Sequence, residues 1–184
     1  MLTPVLIPAT IDDYPTIQNM ARFYVYDMYR YCGHLEGWEC PEDGLFECVD
    51  LKKYITPHLS SPGCVETKYS FLIRINGELA GFVMLDKPAF LPGVDWHAAE
   101  FYILAKFQGK GIGTKVALQL FDLFSGCWSL GSIPQNTKAL GFWEDLISNY
   151  TNGNFSKVDM TSEQLATADR PDPNPLTMFM FETK

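Results

Sequence analysis

The chain lacks any apolar run of the roughly 18 residues needed to span a bilayer. Its first segment, MLTPVLIPATIDDYP, has no basic stretch followed by an apolar core. Together these absences predict a cytoplasmic protein with no membrane partner. Cysteine is sparse and odd in number: Cys32, Cys40, Cys48, Cys64 and Cys127, with no C-x-x-C pair. That excludes a zinc-ribbon or dithiol redox motif and points to free thiols in a reducing compartment. His34 and His58 have no companions at ligand spacing, so no metal is expected. Basic residues are outnumbered as well, 14 Lys and Arg against 22 Asp and Glu, for a net charge of -8. Such a balance argues against a nucleic-acid partner, whose phosphates are neutralised by clustered Lys and Arg.

What is present is a globular composition. The 184 residues suffice for one domain with a sizeable core, and 47% hydrophobic residues with 14% aromatics are far from the profile of a disordered chain. Glu36, Glu39, Glu42, Asp43, Glu47 and Asp50 gather in one short stretch, which reads as a solvated acidic loop. An acidic protein of this kind accepts a cationic or neutral small molecule more readily than an anionic polymer.

Val5-Leu6-Ile7 reads as a first strand, ended by Pro8. From Asp12 to Tyr31, Ile17, Met20, Ala21, Tyr24, Val25 and Met28 recur at helical spacing, with Asp12 or Asp13 as the N-cap. A shorter second helix is expected over Phe46 to His58. Tyr69–Ile75 and Glu78–Asp86 are β-rich and separated by Asn76-Gly77, a strong hairpin signal. Trp96 to Phe107 is the fourth strand, and Ile112 to Phe124 a helix with an apolar stripe at intervals of four. Trp128–Ile133 forms a fifth strand and Thr137–Tyr150 a helix. Phe155–Met160 and Pro175–Glu182 form a closing strand pair, joined through the Pro-rich loop from Asp169. A hairpin followed by β-α-β crossovers predicts an α/β (mixed α+β) fold, a mixed sheet with helices on both faces, in one domain over residues 1–184.

Strand, glycine-rich turn and helix are contiguous at Gln108-Gly109-Lys110-Gly111-Ile112-Gly113. Glycines permit positive φ and close approach of a ligand, and amides at a helix N-terminus attract an anion, a diphosphate above all. The spacing is neither that of a P-loop nor G-x-G-x-x-G. Gln108, Gly111 and Gly113 instead occupy the defined positions of Q/R-x-x-G-x-G/A, and the segment Ile103 to Gly113 resembles motif A of the GNAT (GCN5-related N-acetyltransferase) superfamily. The likeness extends to the preceding hairpin, the following helix and Asn136-x-x-Ala139-x-x-Phe142-Trp143.

The resemblance implies a mostly antiparallel sheet of roughly six to seven strands flanked by about four helices. It also implies acetyl-CoA as co-substrate, a small-molecule amine as acceptor, and admits a homodimer. By the same likeness, Gln108, Gly109, Lys110, Gly111, Ile112 and Gly113 hold the pyrophosphate. Ile103, Leu104 and Ala105 meet pantetheine or the oxyanion, and Asn136, Ala139 and Trp143 line the cofactor. One departure is Trp143, which stands where many members have a tyrosine that protonates the CoA thiolate; either Tyr150 or a water takes that role, or the thiolate leaves unaided.

Direct transfer needs a neutral amine, so a base must take the ammonium proton. Glu100, at the start of the apolar run of strand four, is the first candidate, and resembles the acidic residue of several amine-acetylating members. His97 is the second, since an imidazole titrates near neutrality. Tyr24, Tyr29 and Tyr31, from the aromatic cluster of the first helix, are the expected acceptor wall. A protein or peptide acetyltransferase and a non-catalytic acyl-CoA-binding domain are the alternatives.

Overall fold

The computed structural model describes residues 2–48, 50–55, 67–87, 89–167 and 174–183. The elements run in the order β1 (Pro4–Pro8), α1 (Tyr14–Cys32), β2 (Thr67–Ile75), β3 (Glu78–Lys87), β4 (Trp96–Ile103), α2 (Ile112–Leu123), β5 (Gly126–Ser132), α3 (Thr137–Thr151), β6 (Phe155–Met160), α4 (Ser162–Thr167) and β7 (Leu176–Thr183). Seven strands form one sheet in the order β1-β2-β3-β4-β5-β7-β6. All neighbours are antiparallel except β4 and β5, which are joined through the α2 crossover.

The two larger of three cores sit on opposite faces, because β3 and β4 are apolar on both sides, as central strands must be. Val83, Leu85, Trp96 and Ile103 pack with Val116, Leu120 and Phe121 of α2 and Leu146 and Ile147 of α3. Leu72, Phe82, Met84 and Tyr102 pack against Ile17, Met20 and Ala21 of α1. The stripe that buries the first half of α1 continues through Tyr24, Asp27, Met28 and Tyr31.

The β2–β3 turn behaves as its sequence demands: Asn76 and Gly77 both take positive φ, 52° and 82°, and Ile75 pairs with Glu78. Gly81 is required for a different reason. Its φ is 157°, and a Cβ there would run into the Tyr102 carbonyl oxygen across the ladder. Gly81→Ala should therefore destabilise the fold by about 3 kcal/mol and lower Tm by roughly 6–12 °C. A thermal melt within 2 °C or so of wild type would refute that reading of the β3–β4 contact.

Four local expectations change. Residues 46–48 are not helical, and a single 3-10 turn, Leu51–Tyr54, stands where a longer helix is expected; 56–58, with His58, lie outside the described residues. Its chain is drawn over α1 by Phe46 against Tyr26 and Tyr29 and by Cys48 against Gln18. Strand β4 stops at Ile103, four residues early, where Phe107 N–H turns back to the Leu104 carbonyl. Asp13 makes no side-chain cap on α1; its carboxylate instead closes a capping box with Thr10 over the preceding turn. Short α4 is unforeseen, although Thr161 and Gln164 exchange the bonds of a capping box at its start. Cys64 and most of the Pro-rich loop fall outside the described residues.

Candidate active site

The site begins where β4 and β5 part. They pair only at Trp96, His97 and Ala98, opposite Trp128, Ser129 and Leu130. Beyond that point β5 stays with β7 while β4 stays with β3. The register of β3 and β4 shifts between Met84 and Leu85, leaving Ala99 as an extra residue, and such a bulge bends a strand and increases its twist. The divergence starts at this bulge.

Backbone groups exposed by the splay follow from the ladder. Leu104 N–H donates to the Ala80 carbonyl at 2.8 Å. Antiparallel bonding alternates, so Tyr102 and Glu100 also address β3, while Phe101 and Ile103 turn their amides into the gap. Leu104 is thus committed to β3, and of the two amides expected to meet an oxyanion only Ile103 faces the opening. The Ile103 carbonyl already accepts from Gln108 Nε2 at 2.8 Å, which ties the end of β4 to the glycine turn.

A cleft of about 560 Å³ passes through the splay. One wall holds Ile103, Ala105, Gln108, Gly109 and the start of α2 from Gly111 to Thr114. Gly109 and Gly111 have φ of 68° and 71°, a left-handed conformation that favours glycine, and a Cβ on either would meet no protein atom within 4 Å, so the turn presents its backbone to open space. Gly113 is closely packed instead: a Cβ would come within 3.2 Å of the Phe142 ring, which would have to shift to admit it. No side chain caps α2 at Gly111, and the first amide bonded back within the helix is Lys115 N–H to the Gly111 carbonyl. The amides of Ile112, Gly113 and Thr114 are left for an anion, in a positive helix-end field. Exposed Lys138 reaches Gln108 Oε1 at 3.4 Å beside them, whereas Lys110 folds back onto the Lys106 carbonyl and does not line the cleft.

The second wall is the start of α3. Asn136 caps it, its side-chain oxygen accepting from Ala139 N–H at 3.1 Å, and its amide nitrogen lies 3.8 Å from Met28 Sδ of α1. Trp143 is buried, edge-on to Phe101 at 4.9 Å. The third wall is α1, through Tyr24, Asp27, Met28, Arg30 and Tyr31. Here the sequence reading misses a pair: Tyr102 donates to Asp27 Oδ2 at 2.9 Å. Burial, with the Asp27 carboxylate next, raises the Tyr102 hydroxyl well above its ordinary range, so it stays protonated. A lone acid within the apolar stripe of α1 is the signal that could have found it.

Several expected residues sit elsewhere. Tyr29 packs on Phe46, away from the cleft lining. Tyr150 packs on Phe121 and lines a separate groove with Thr114, Leu118, Asp145 and Asn149, about two helical turns from Trp143. His97 is 1% exposed, with Nδ1 2.9 Å from Ser129 Oγ and its ring edge-on to Phe90, and it does not line the cleft. Glu100 is half-buried on the α1 face of β4, one pleat from Tyr102, close enough to Cys48 to raise its thiol pKa alongside the larger effect of burial.

Residues 34–146 match the model of the acetyltransferase (GNAT) family. This chain belongs to that family and is a GNAT-type N-acetyltransferase, an acyltransferase that uses acetyl-CoA. Solved structures share its fold over nearly their full length. An acetyltransferase from Thermus thermophilus is 17% identical with a TM-score of 0.62, covering 98% of this chain and 97% of that one. A ribosomal-protein alanine N-acetyltransferase from Escherichia coli is 13% identical, covers 99% and 95%, and has a TM-score of 0.54. A spermidine N-acetyltransferase chimera from Vibrio cholerae and hSSAT is also 13% identical, with coverage of 98% and 96% and a TM-score of 0.53. Comparison with curated protein sequences gave no match.

Proposed function

We propose that the chain transfers the acetyl group of acetyl-CoA directly to a primary amine of a small acceptor, within the β4–β5 splay. The observation that carries this is the meeting of the uncapped α2 N-terminus with a gap into which Ile103 turns its free N–H. The glycine turn and the amides of Ile112 to Thr114 suit a diphosphate, and the gap beside Phe101 and Ile103 suits an extended chain that can pair with a strand edge. Asn136, Ala139 and Trp143 flank that chain from α3. The acceptor enters from the α1 side, past Tyr24 and Tyr31.

Acetyl-CoA supplies a thioester whose carbonyl carbon the amine attacks, with the C–S bond breaking as the C–N bond forms. Glu100, on the α1 face of β4 one pleat from Tyr102 and outside the cleft lining, receives the ammonium proton through water, which leaves a neutral nucleophile. Ile103 N–H is the backbone donor available to the developing oxyanion. Trp143 cannot give up a proton and Tyr150 is on another surface. A thiol with pKa about 8.5 can leave as thiolate without a side-chain acid.

Neighbouring folds are named for acceptors as different as spermidine and a ribosomal-protein alanine, so the small-molecule reading rests on the cleft of this chain. Its test is binding and turnover together. Acetyl-CoA at about 100 times its Kd should stabilise the protein by about 2.7 kcal/mol, read as a rise in Tm. Free CoA thiol should then appear on addition of primary amines. Absence of both would overturn the proposal.

A further inference from the structure

Both ends of the cleft carry cations, but only one carries a carboxylate. Its glycine-turn end carries the α2 amides and Lys138, while the α1 side carries Arg30 and the one carboxylate of the lining, Asp27, which sits among Tyr24, Met28, Tyr31 and Tyr102. Tyr102 orients that carboxylate through its Oδ2. Among the described residues Oδ1 has no hydrogen-bond or ion-pair partner, and Arg30, one turn along the helix, makes no ion pair with it. An ionised carboxylate accepts at about four lone-pair sites, and Tyr102 fills one. Aromatic faces nearby favour a cation over a neutral or anionic group, with Tyr24 and Tyr102 centred 5.4 Å apart.

We infer that Asp27 selects the acceptor: its carboxylate, held by Tyr102 and flanked by Tyr24, binds a second cationic centre on an acceptor whose other amine is acetylated. The reacting amine itself is excluded from this position. A carboxylate pressed against it would favour its ammonium form, which cannot attack. The group held by Asp27 is therefore one that keeps its charge throughout the reaction. A diamine, or an amine bearing a guanidinium or quaternary ammonium, satisfies both demands. The inference rests on the proposed function only in taking the splay as the route to the thioester.

Three probes of matched length separate the possibilities: diaminobutane, butylamine and γ-aminobutyrate. Wild type should acetylate diaminobutane with kcat/KM about 10- to 100-fold above butylamine, the worth of a hydrogen bond to a charged group, and should reject γ-aminobutyrate. Asp27→Asn keeps an acceptor for the Tyr102 hydroxyl but removes the charge. It should erase the diamine preference by raising KM for diaminobutane about 10- to 100-fold more than KM for butylamine. Asp27→Glu, which retains the charge, should recover part of the preference.

A second readout needs no turnover: diaminobutane should further stabilise the CoA-loaded wild type and not the CoA-loaded Asp27→Asn protein. If that shift appears while no amine is acetylated, the cation site stands and the transferase reading falls. Acetylation of all three probes at similar kcat/KM, or a diamine preference that survives in Asp27→Asn, would overturn the inference while leaving the transferase reading intact. Absence of both diamine-dependent stabilisation and diamine preference in wild type would overturn it as well.

Discussion

Gly111→Asp should yield a folded protein that no longer binds acetyl-CoA. Gly111 is the αL residue at the N-terminus of α2, with φ 71° and ψ 9° and open space where a Cβ would point. Aspartate enters that conformation more readily than most residues, and a negative charge is favoured at a helix N-terminus, so stability should stay within about 1–2 kcal/mol of wild type. The same carboxylate faces the position the diphosphate needs. Like charges about 4 Å apart cost about 4 kcal/mol at an effective dielectric near 20, which is more than a hundredfold in affinity. Calorimetric titration with acetyl-CoA and a thermal melt on one sample separate the two effects. Binding retained within tenfold would mean that the α2 N-terminus does not hold the phosphates.

Glu100→Gln should depress kcat/KM by about 100-fold or more at pH 7, the usual worth of a positioned base. The sign of its pH dependence follows from the acceptor. An aliphatic ammonium has pKa about 10.4, so at pH 7 almost all acceptor carries the proton that Glu100 would remove, while near pH 10 much of it is already neutral. The deficit of the variant should therefore shrink as pH rises. Loss of rate by the same factor at pH 7 and pH 10 would reduce Glu100 to a structural or binding role; an unchanged rate at pH 7 would remove it from the reaction.

The two variants test features that were unequally visible in the sequence. The turn from Gln108 to Gly113 was legible because its demands are local: positive φ at Gly109 and Gly111 and a helix beginning at Ile112 are written in adjacent residues. The hairpin at Asn76-Gly77 and the stripe of α1 were legible for the same reason. Glu100 could be named only as a candidate, because the face it occupies depends on the register shift at Met84 and Leu85. A bulge of one residue reverses which side chains look toward α1, and nothing in Trp96 to Ile103 announces it.

Tyr150, Tyr29 and His97 illustrate the same limit from the other side. Tyr29 and Tyr31 are two residues apart on α1, yet helical rotation of about 100° per residue sends Tyr29 to Phe46 and Tyr31 to the cleft. Tyr150 has the right chemistry and lies on the right helix, but near its far end. His97 is on the right strand, before the splay opens, and is sealed beneath Phe90 and against Ser129.

The sequence by itself determined most of the elements and the glycine cradle, each set by periodicity and dihedral preference within a short stretch, and the motif from Gln108 to Gly113 carried the resemblance to the family. The tertiary structure alone decided the rest. Tyr102 and Asp27 are 75 residues apart in the chain and meet at 2.9 Å because a strand and a helix pack across the sheet. The splay exists because β4 and β5 follow different partners after Ala98 and Leu130. Such long-range pairings depend on how separate elements pack against one another, and a local pattern carries no record of them.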